Sequence, residues 1–499
     1  MKKIQFWVIS ESSEPRTLDR EEGSGPMMLA TISKKYGFSN QIYQASWFGN
    51  KAGLILKKIQ EENPEIVAFS IYSGGISLLR DILSALPKSK TILLGGPGVT
   101  IDAPALFPEM KQYNFERLVM IAGEAEQPFE RLFVRNDWQK IPEIYFADRE
   151  GSQTGKFNTL KNMDDKPFPD LGGSELRKYC EEVLADARNH SIVEVAEAVK
   201  ILQHAYIESR RGCINHCAFC SEPELSVRGV RRNSVKRTIE EIKYLYETFG
   251  ITFFNFSDNI AFDNAEWWLG FVAELAQYSP RNLLQFGGFG TPKINVKDIW
   301  LNKVFPELSK VGFSFITLGV QAGSKRILRD IINRPADDPE NALVIVKKLI
   351  PLGVNVKTDF IVGHPTETVG DLQEEESWIQ QIYQCGGVVS ARRLNVMPHS
   401  KYEELLQQGW LALPEKTAGS EAIIARILAY HADASQYKKL LNEMNRIPNL
   451  HFIDRSTGLR FPKLNWSKEL LREQVKLVKH LPELIRYRYQ VLFDRMLSQ

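Results

Sequence analysis

Cysteine is scarce in this sequence. The chain has only five cysteines in 499 residues, and none precedes Cys180. A small, odd number of cysteines cannot form a disulfide framework, so we expect a reducing intracellular compartment, by default the cytoplasm. Three of the five, Cys213, Cys217 and Cys220, lie within eight residues of one another. Their spacing is therefore more informative than their number.

Long apolar runs and a strong net charge are also absent. No segment approaches the ~18 apolar residues of a membrane helix, and the short apolar start at residues 1–10 is typical of a strand rather than a signal peptide. With 63 basic and 61 acidic residues the formal net charge is +2, so no nucleic acid partner is expected. A content of 43% hydrophobic residues predicts a folded globular chain, whose length fits about three domains.

The first 145 residues alternate short apolar runs with amphipathic stretches. This rhythm predicts a doubly wound parallel sheet with helices on both faces, an α/β fold whose ligands bind at the carboxyl ends of the strands. The predicted strands are residues 4–9, 41–45, 66–72, 91–94 and 118–122, and the predicted helices are 27–36, 54–61, 76–86 and 126–133.

Small residues follow three of these predicted strands. Any one of the three groups is explained equally well by a tight turn, but three on one edge of a sheet favour a ligand that approaches the backbone closely. No G-x-G-x-x-G motif opens a helix, so a nicotinamide or flavin dinucleotide is not the expected ligand. The candidate residues are Tyr72, Ser73, Gly74, Gly75, Gly95, Gly96, Pro97, Gly123 and Glu124.

The most informative segment is the cysteine loop. Three thiols in a C-x₃-C-x₂-C arrangement follow an apolar strand and Gly212, and they can hold one soft metal centre. Three ligands on a [4Fe-4S] cubane leave the fourth iron open to a cofactor or substrate. A zinc site that uses His216 is the alternative, but no second pair of ligands follows. The loop therefore favours iron–sulfur.

Further strands and helices alternate after the loop, and the chain divides into four predicted regions. Strand candidates end near residues 251–256, 285–290, 316–321, 357–362 and 394–397. Residues 1–150 form the first domain, 151–195 a linker stiffened by Pro167 and Pro169, and 196–408 the domain with the cysteine loop. Residues 409–499 are expected to be mostly helical.

The cysteine loop, including Phe219 before its third cysteine, resembles the defining motif of the radical S-adenosylmethionine (SAM) superfamily. The resemblance implies a partial (β/α)₆ barrel with its chemistry at the carboxyl ends of the strands. Residues 69–72, 94–97 and 123–129 resemble the cobalamin-binding domain that precedes this barrel in one class of the superfamily. The pattern D-x-H-x-x-G is missing, and the first histidine is His190, so any bound cobalamin should lack an axial histidine from this domain.

The same resemblance implies the residues that contact SAM. Residues 319–324 resemble the fourth-strand element, with Gln321 in place of an acid, and residues 360–368 resemble the fifth-strand element, with Asp359 where relatives often have glycine. Each polar residue, taken alone, is better explained by a turn or a helix cap, and only their shared position at the strand ends makes a cofactor contact an equal explanation. The implied SAM contacts are Phe219, Asp258, Asn259, Gln285, Gln321, Ser324, Val396 and Met397.

Two further groups of residues remain. The basic residues Arg228, Arg231, Arg232, Lys236 and Arg237 follow the loop, and most are expected in a solvated helix start, although one arginine could bind the carboxylate of SAM. Cys180 and Cys385 are expected to be structural or spare thiols.

The leading hypothesis is a cobalamin-dependent radical SAM methyltransferase that acts on an unactivated carbon, with a [4Fe-4S] cluster, SAM, cobalamin and a 5′-deoxyadenosyl radical. The alternatives are a radical rearrangement, cyclisation or oxidation with cobalamin assisting or absent, and a zinc-stabilised binding module. A tRNA methylthiotransferase would need a second cysteine triad in the first domain, where residues 1–179 have no cysteine. The substrate, a small molecule or a peptide, is open, and an electron donor such as a flavodoxin or ferredoxin is expected.

Overall fold

The computed structural model describes residues 2–10, 24–72, 74–135, 137–186, 190, 198–199, 201–225, 229–278, 283–432, 452–454 and 459–461. The chain divides into two compact units. The first unit comprises Met1–Glu182 with Glu224–Asn233, and the second comprises Val183–Pro223 with Ser234–Gln499. Each unit is built on its own largely parallel sheet. The four-region division expected from the sequence stays a prediction.

The sheet of the first unit has seven strands in the order β2-β1-β3-β4-β5-β6-β7. Strands β1 to β5 run parallel, whereas β6 and β7 are added antiparallel. The strand order reverses between β1 and β3, which is the switch point where such sheets bind ligands. The strands are β1 Lys2–Ile9, β2 Phe38–Gln44, β3 Ile66–Ile71, β4 Thr91–Gly95, β5 Arg117–Met120, β6 Tyr145–Asp148 and β7 Ser152–Gln153.

Helices of the first unit pack in separate groups on this sheet. Helix α1 packs with α5, and α2 packs with α3, which confirms the doubly wound α/β fold. Buried strand residues such as Trp7, Phe69 and Leu94 form the core beneath the helices. The helices are α1 Ser24–Lys35, α2 Ala52–Glu62, α3 Ile76–Ala85, α4 Pro97–Lys111, α5 Glu126–Val134 and α6 Glu175–Ala185.

The second unit contains a six-stranded parallel sheet in the order β15-β14-β13-β12-β11-β8. Consecutive strands are neighbours in this order and helices lie between them along the chain, which confirms the α/β barrel-type fold. Its strands are β8 His204–Ile207, β11 Phe253–Phe256, β12 Gln285–Gly290, β13 Phe313–Gln321, β14 Asn355–Val362 and β15 Val388–Arg393. The short strands β9 Arg210–Arg211 and β10 Arg231–Arg232 lie between β8 and β11 in sequence.

The remaining helices connect the barrel strands or follow them. They are α7 Glu222–Leu225, α8 Val235–Phe249, α9 Ala265–Leu275, α10 Pro292–Asn295, α11 Phe305–Ser309, α12 Pro339–Leu349, α13 Val369–Gln384, α14 Lys401–Gln407 and α15 Ala418–Ala432. Short 3₁₀ turns lie at Ala45–Phe48, Trp138–Lys140, Met163–Asp165, Leu171–Gly173 and Ile350–Leu352, and π-helical turns lie at Trp300–Val304 and Ile327–Ile331. No helix in these described ranges is long and apolar enough to cross a membrane.

The sequence prediction missed several elements. The last barrel strand is Val388–Arg393, so the predicted strand at 394–397 was wrong. Pro398 lacks a backbone N–H and restricts the residue before it, and residues 394–397 form the loop after the strand. Helix α4 was also missed, because Pro104 and Pro108 lie inside it. The antiparallel strands β6 and β7 were not predicted, because each is too short to show a clear pattern of apolar residues.

Only part of the predicted C-terminal helical region is described. Helix α15 agrees with the expectation, whereas β16 Phe452–Asp454 and β17 Leu459–Phe461 form a short antiparallel pair. Trp410 is exposed. Trp466 and the basic residues of 468–495 lie outside the described residues, as do Ser73 and Arg228.

Candidate active site

The cysteine loop begins just after strand β8, at the carboxyl edge of the barrel sheet. Gly212 has a φ of +94°, a left-handed conformation that glycine adopts at low cost. The Cys220 N–H donates to the Cys217 carbonyl at 3.0 Å. Two backbone N–H groups point at sulfur, from Asn215 to Cys213 Sγ and from Glu222 to Cys220 Sγ, each at 3.4 Å. The local fold therefore already provides hydrogen bonds to two of the three sulfur atoms.

Buried residues of the barrel hold the middle of the loop in place. The Ala218 N–H donates to the Ile332 carbonyl at 3.0 Å, and the Ala218 carbonyl accepts from the Tyr402 N–H at 2.8 Å. Phe219 packs near His364 and Tyr402, with ring centroids 6.3 Å and 6.4 Å away. These contacts anchor the loop between the π-helical turn at Ile327–Ile331 and the start of α14.

Burial favours the protonated form of two thiols of the loop. Burial raises the pKa of the Cys217 thiol to about 11, while the nearby Arg334 guanidinium opposes that shift. Burial also raises the pKa of Cys220. Metal binding must displace these protons, because only thiolates act as ligands. Within the ranges that the structure describes, no three His, Cys, Asp or Glu side chains already surround a common point, but three thiols on one loop have the donor chemistry of an iron–sulfur ligand set.

Arg334 is a residue that the sequence analysis did not find. Its guanidinium is buried and donates through Nε to Asp337 at 2.8 Å. Its Nη2 atom is buried without a hydrogen-bond partner among the described residues. A Cβ atom placed on Gly319 would lie 3.7 Å from Arg334 Nη1. The arginine therefore places a positive charge between the cysteine loop and the fourth-strand element at residues 319–324. Only this juxtaposition in the fold could have revealed it.

His364 and Tyr402 form a second pair that was missed. The His364 ring lies 3.0 Å from the Tyr402 hydroxyl through Nδ1 and 3.3 Å from the Gln321 carbonyl through Nε2. Burial lowers the pKa of His364 to about 4, so the ring is neutral near pH 7. A neutral ring matches this arrangement when Nε2 donates to the carbonyl and Nδ1 accepts from the hydroxyl. The pair connects Gln321 to the ring of Phe219.

Four of the predicted SAM contacts lie at or after the carboxyl ends of barrel strands. Gln321 ends β13 with a φ of +73°, a strained value for a residue other than glycine. Asn259 is exposed in the turn after β11. Val396 packs in the same apolar cluster as Phe219, and Met397 follows it in the loop. The structure therefore brings the loop and three strand ends to one edge.

Three other predicted SAM contacts have different surroundings. Both oxygens of Asp258 accept hydrogen bonds from Ser209 and Arg210, so this carboxylate fixes the segment before the cysteine loop. Ser324 Oγ donates to Asp371 at 2.6 Å, at the start of α13. Gln285 is the first residue of β12 and pairs with Phe253, the first residue of β11. Gln285 thus lies at the amino edge of the sheet, away from the other candidates.

The basic residues after the loop are engaged in ion pairs. Arg231 binds Glu124 at 2.5 Å, Arg237 binds Glu241 at 2.9 Å and Lys236 lies 3.9 Å from Glu240. Glu124 was a predicted cobalamin contact, but its carboxylate also accepts from the Leu160 N–H. It ties the segment 224–233 to the body of the first unit.

The glycine turns of the first unit do lie together, after the neighbouring strands β3, β4 and β5. Chain packing accounts for three of these glycines. A Cβ on Gly75 would lie 2.9 Å from the Ile9 side chain, and one on Gly96 would lie 2.7 Å from Ile71 N and O. A Cβ on Gly123 would lie 2.2 Å from the Asn158 carbonyl oxygen.

The rest of this edge is open to a ligand. Gly95 is different from the other glycines, because its nearest neighbour would be the Ile121 carbonyl oxygen at 3.8 Å. The Tyr72 side chain is 39% exposed at the end of β3, Gly74 has a φ of +86°, and Pro97 opens α4. Packing within the chain therefore does not explain why a glycine stands at position 95 or why Tyr72 is exposed, and both residues remain candidates for cobalamin contact.

Comparison with known proteins identifies the class of the second unit. Residues 207–379 match the family described as the radical SAM superfamily. This range covers the cysteine loop and the barrel strands from β11 to β14. This part of the chain therefore matches the radical SAM superfamily, which confirms the resemblance on which the sequence prediction rested.

Two structures resemble the whole fold. The chain is similar to the radical SAM methyltransferase TsrM from Kitasatospora setae, determined with cobalamin and a [4Fe-4S] cluster, with a TM-score of 0.64, 13% identity and 100% of both chains covered. It is also similar to the cobalamin-dependent radical enzyme OxsB with aqua-cobalamin and SAM bound, with a TM-score of 0.58, 15% identity, 100% of this chain and 71% of that chain covered. These likenesses confirm the two-sheet fold.

Curated relatives match only part of the sequence. A cytidylyl-2-hydroxyethylphosphonate methyltransferase from Streptomyces wedmorensis is 25% identical over 242 residues, which cover 45% of this chain and 40% of that protein. A tRNA-2-methylthio-N(6)-dimethylallyladenosine synthase from Methylacidiphilum infernorum is 28% identical over 244 residues, which cover 46% of this chain and 49% of that protein. Each of these two matches spans less than half of the relative's own length.

Proposed function

We propose that this chain is a cobalamin-dependent radical SAM enzyme that transfers a methyl group to an unactivated carbon. The observation that carries the proposal is the three-cysteine loop at the carboxyl edge of a parallel sheet, within the radical SAM match at residues 207–379. The fold shared with TsrM and OxsB, whose structures hold cobalamin, and the partial match to a methyltransferase support the cofactor and the reaction.

The donor set indicates which residues would hold the cofactors. Cys213, Cys217 and Cys220 would ligate a [4Fe-4S] cluster, and the glycine-rich edge around Gly95 and Tyr72 would hold cobalamin. When bound, these groups with SAM supply a 5′-deoxyadenosyl radical and a transferable methyl group. The chain itself binds and orients them and excludes water. An external electron donor of the flavodoxin or ferredoxin type would supply the electron.

Arg334 would bind the carboxylate of SAM. The free Nη2 of its buried guanidinium is a donor for a carboxylate oxygen, and Asp337 holds the guanidinium in place through the adjacent Nε. A buried arginine donor without a partner is costly unless a ligand supplies one. The basic residues after the loop are weaker candidates, because Arg231 and Arg237 already pair with glutamates.

Removal of one cysteine tests the cluster assignment. We expect Cys217→Ala to abolish reductive cleavage of SAM, because a cubane cluster loses one of its three protein ligands. The measurement is 5′-deoxyadenosine formed by anaerobically reconstituted protein with dithionite as reductant. The matched control is Cys385→Ala, which removes the partly buried thiol at the end of α13 and should leave cleavage unchanged. Continued 5′-deoxyadenosine formation by Cys217→Ala would refute the assignment.

Two alternatives are separable from this proposal. A radical rearrangement, cyclisation or oxidation without cobalamin would show the iron–sulfur absorbance without a corrinoid band after anaerobic purification. A zinc module would contain zinc without iron or sulfide.

A further inference from the structure

The two faces of strand β14 differ in character. Val356, Thr358, Phe360 and Val362 are buried, and helix α12 packs against this strand. The alternate residues Asn355, Lys357, Asp359 and Ile361 are only half-buried. Successive side chains of a strand point to opposite faces, and barrel helices cover the outer face. Lys357 and Asp359 therefore point to the inside of the barrel.

The strand register places other polar residues on the same inner face. Asp359 is paired with Gly319 on one side and with Ser390 on the other. Asn255 belongs to the same face. Its register partner is Gly287, which pairs with Phe315, and Phe315 in turn pairs with Asn355 on the inner face of β14. The inner polar layer, defined as Asn255, Lys357, Asp359 and Ser390, thus comes from three strands of the sheet.

An aromatic floor lies towards the amino edge of the same face. Phe253 and Phe315 stack with their ring centroids 5.6 Å apart. Gly287 leaves room for Phe315, since a Cβ on this glycine would lie 2.2 Å from the ring. The inner polar layer therefore opens towards the carboxyl edge, where β8 ends and the cysteine loop begins.

Three polar atoms in this layer have no hydrogen-bond partner among the described residues. Asn255 Oδ1, Asp359 Oδ1 and Ser390 Oγ are buried, and none has a hydrogen-bond partner among the described residues. Lys357 Nζ lies 3.4 Å from Asp359 Oδ1, close enough to balance its charge. Leaving buried acceptors unpaired is costly, so groups of this kind in one layer indicate a ligand that supplies donors. Because Lys357 already balances Asp359, the ligand needs donors but no positive charge.

We propose that the inner polar layer is the substrate-binding site of the barrel and that its substrate is a neutral small molecule with several hydroxyl groups. The hydroxyls donate to Asp359 and Asn255, and one exchanges a hydrogen bond with Ser390. This inference rests on the proposed function, because it places the substrate in the same barrel as SAM. Asp359 is a specificity-determining residue in this proposal, because its buried Oδ1 atom makes no hydrogen bond within the described residues.

Binding of myo-inositol and D-ribose is measured by saturation-transfer difference NMR, which detects transfer of magnetisation from the protein to a bound probe. The protein is the full chain, reconstituted anaerobically. The parent protein should bind both probes. We expect Asp359→Asn and Ser390→Ala each to weaken binding about tenfold, the effect of one lost hydrogen bond to a buried group. The matched control is Thr358→Val, which changes the neighbouring side chain on the outer face, where Thr358 donates to the Val388 carbonyl. This control should bind the probes as the parent does.

Four outcomes would overturn the inference. The first is that neither probe binds to the parent protein. The second is equal probe binding by the parent, Asp359→Asn and Ser390→Ala. The third is tighter binding of D-ribose 5-phosphate than of D-ribose, which would show an anionic substrate. The fourth is loss of SAM binding in Asp359→Asn, measured by equilibrium dialysis, which would make Asp359 a contact for the cofactor.

The same samples separate this inference from the proposed function. Thermal unfolding of each variant shows whether it is folded. If the parent binds the probes but forms no 5′-deoxyadenosine with SAM and dithionite, the proposed function fails and the binding site stands. If 5′-deoxyadenosine forms but the probes do not bind, the substrate class fails and the proposed function stands.

Discussion

At the scale of single residues, polar side chains near a strand end have very different tasks. Asp258 and Ser324 hold neighbouring segments through hydrogen bonds within the chain, whereas Arg334 keeps a donor free. A position at the carboxyl edge therefore does not by itself make a residue a ligand contact. The deciding property is whether the chain already satisfies its polar atoms.

The two adjacent glycines after β4 provide a test of the cobalamin edge. Gly96→Ala should lower the free energy of unfolding by about 2–3 kcal/mol, because a Cβ at positive φ would meet the Ile71 backbone. Gly95→Ala has room for its Cβ and should change stability by less than ~0.5 kcal/mol. The measurement is urea unfolding of the two variants.

The two glycine variants also distinguish a role in chain packing from a role in ligand binding. We expect Gly95→Ala to weaken cobalamin binding about tenfold, equivalent to ~1.4 kcal/mol, because the added methyl group would stand where the ligand approaches the backbone. Corrinoid absorbance after reconstitution and gel filtration measures it. Full retention of cobalamin by Gly95→Ala would place the ligand elsewhere.

Glu367 gives a prediction about pH. Burial raises the pKa of this carboxyl from 4.5 to about 7, and the charge of Asp371 adds to the effect. Between these pH values the folded chain keeps a proton that the unfolded chain has released, so the free energy of unfolding falls as the pH rises. This single contribution amounts to at most ~3 kcal/mol.

The corresponding variant is Glu367→Gln, which is neutral at every pH. Relative to the parent protein, its free energy of unfolding should increase as the pH rises from 5 towards 7.5. Urea unfolding of both proteins across this range provides the measurement. A difference between the two proteins that does not vary with pH would contradict the raised pKa.

At the scale of elements, helix α13 shows how local sequence fixes a boundary. The Thr368 side chain accepts from the Asp371 N–H, and Asp371 accepts from the Thr368 N–H, which completes a capping box. Asp371 also binds Arg326 at 2.5 Å. The fifth-strand element at residues 360–368 therefore combines the turn after β14 with the start of the next helix.

Loss of this cap should be measurable in the whole chain. Thr368→Ala is expected to lower the free energy of unfolding by about 1 kcal/mol, because one orphan N–H of the helix loses its acceptor. Thr368→Ser keeps the hydroxyl and should retain most of the stability. Urea unfolding compares the two, and equal stability of Thr368→Ala and the parent would show that the cap contributes nothing.

At the scale of the whole molecule, the cysteine distribution limits the number of clusters. Outside the loop only Cys180 and Cys385 remain, and they are too few to supply a second triad. We expect about four iron and four sulfide per chain after reconstitution, as for one cubane cluster. About eight of each would contradict a single cluster.

The sequence by itself determined the alternation of strands and helices in both units and the candidate metal ligands. The three cysteines are local, so their spacing could be read directly, and the predicted strands of the first unit overlap β1 to β5 because each is a buried apolar run. Strand β15 was misplaced and α4 was missed, because edge strands and proline-containing helices have weak local patterns. The register of the sheets is non-local and could not be inferred in this way.

Only the tertiary structure decided which polar groups are free. Glu124, Asp258 and Ser324 are bound to residues at least 36 positions away in sequence, so no local pattern reveals that they are occupied. Arg334 and Asp359 became candidates because folding buries a polar atom of each and leaves that atom without a hydrogen-bond partner among the described residues. Burial and pairing depend on distant parts of the chain coming together, which is why the family could be inferred from sequence whereas the substrate-binding proposal needed the fold.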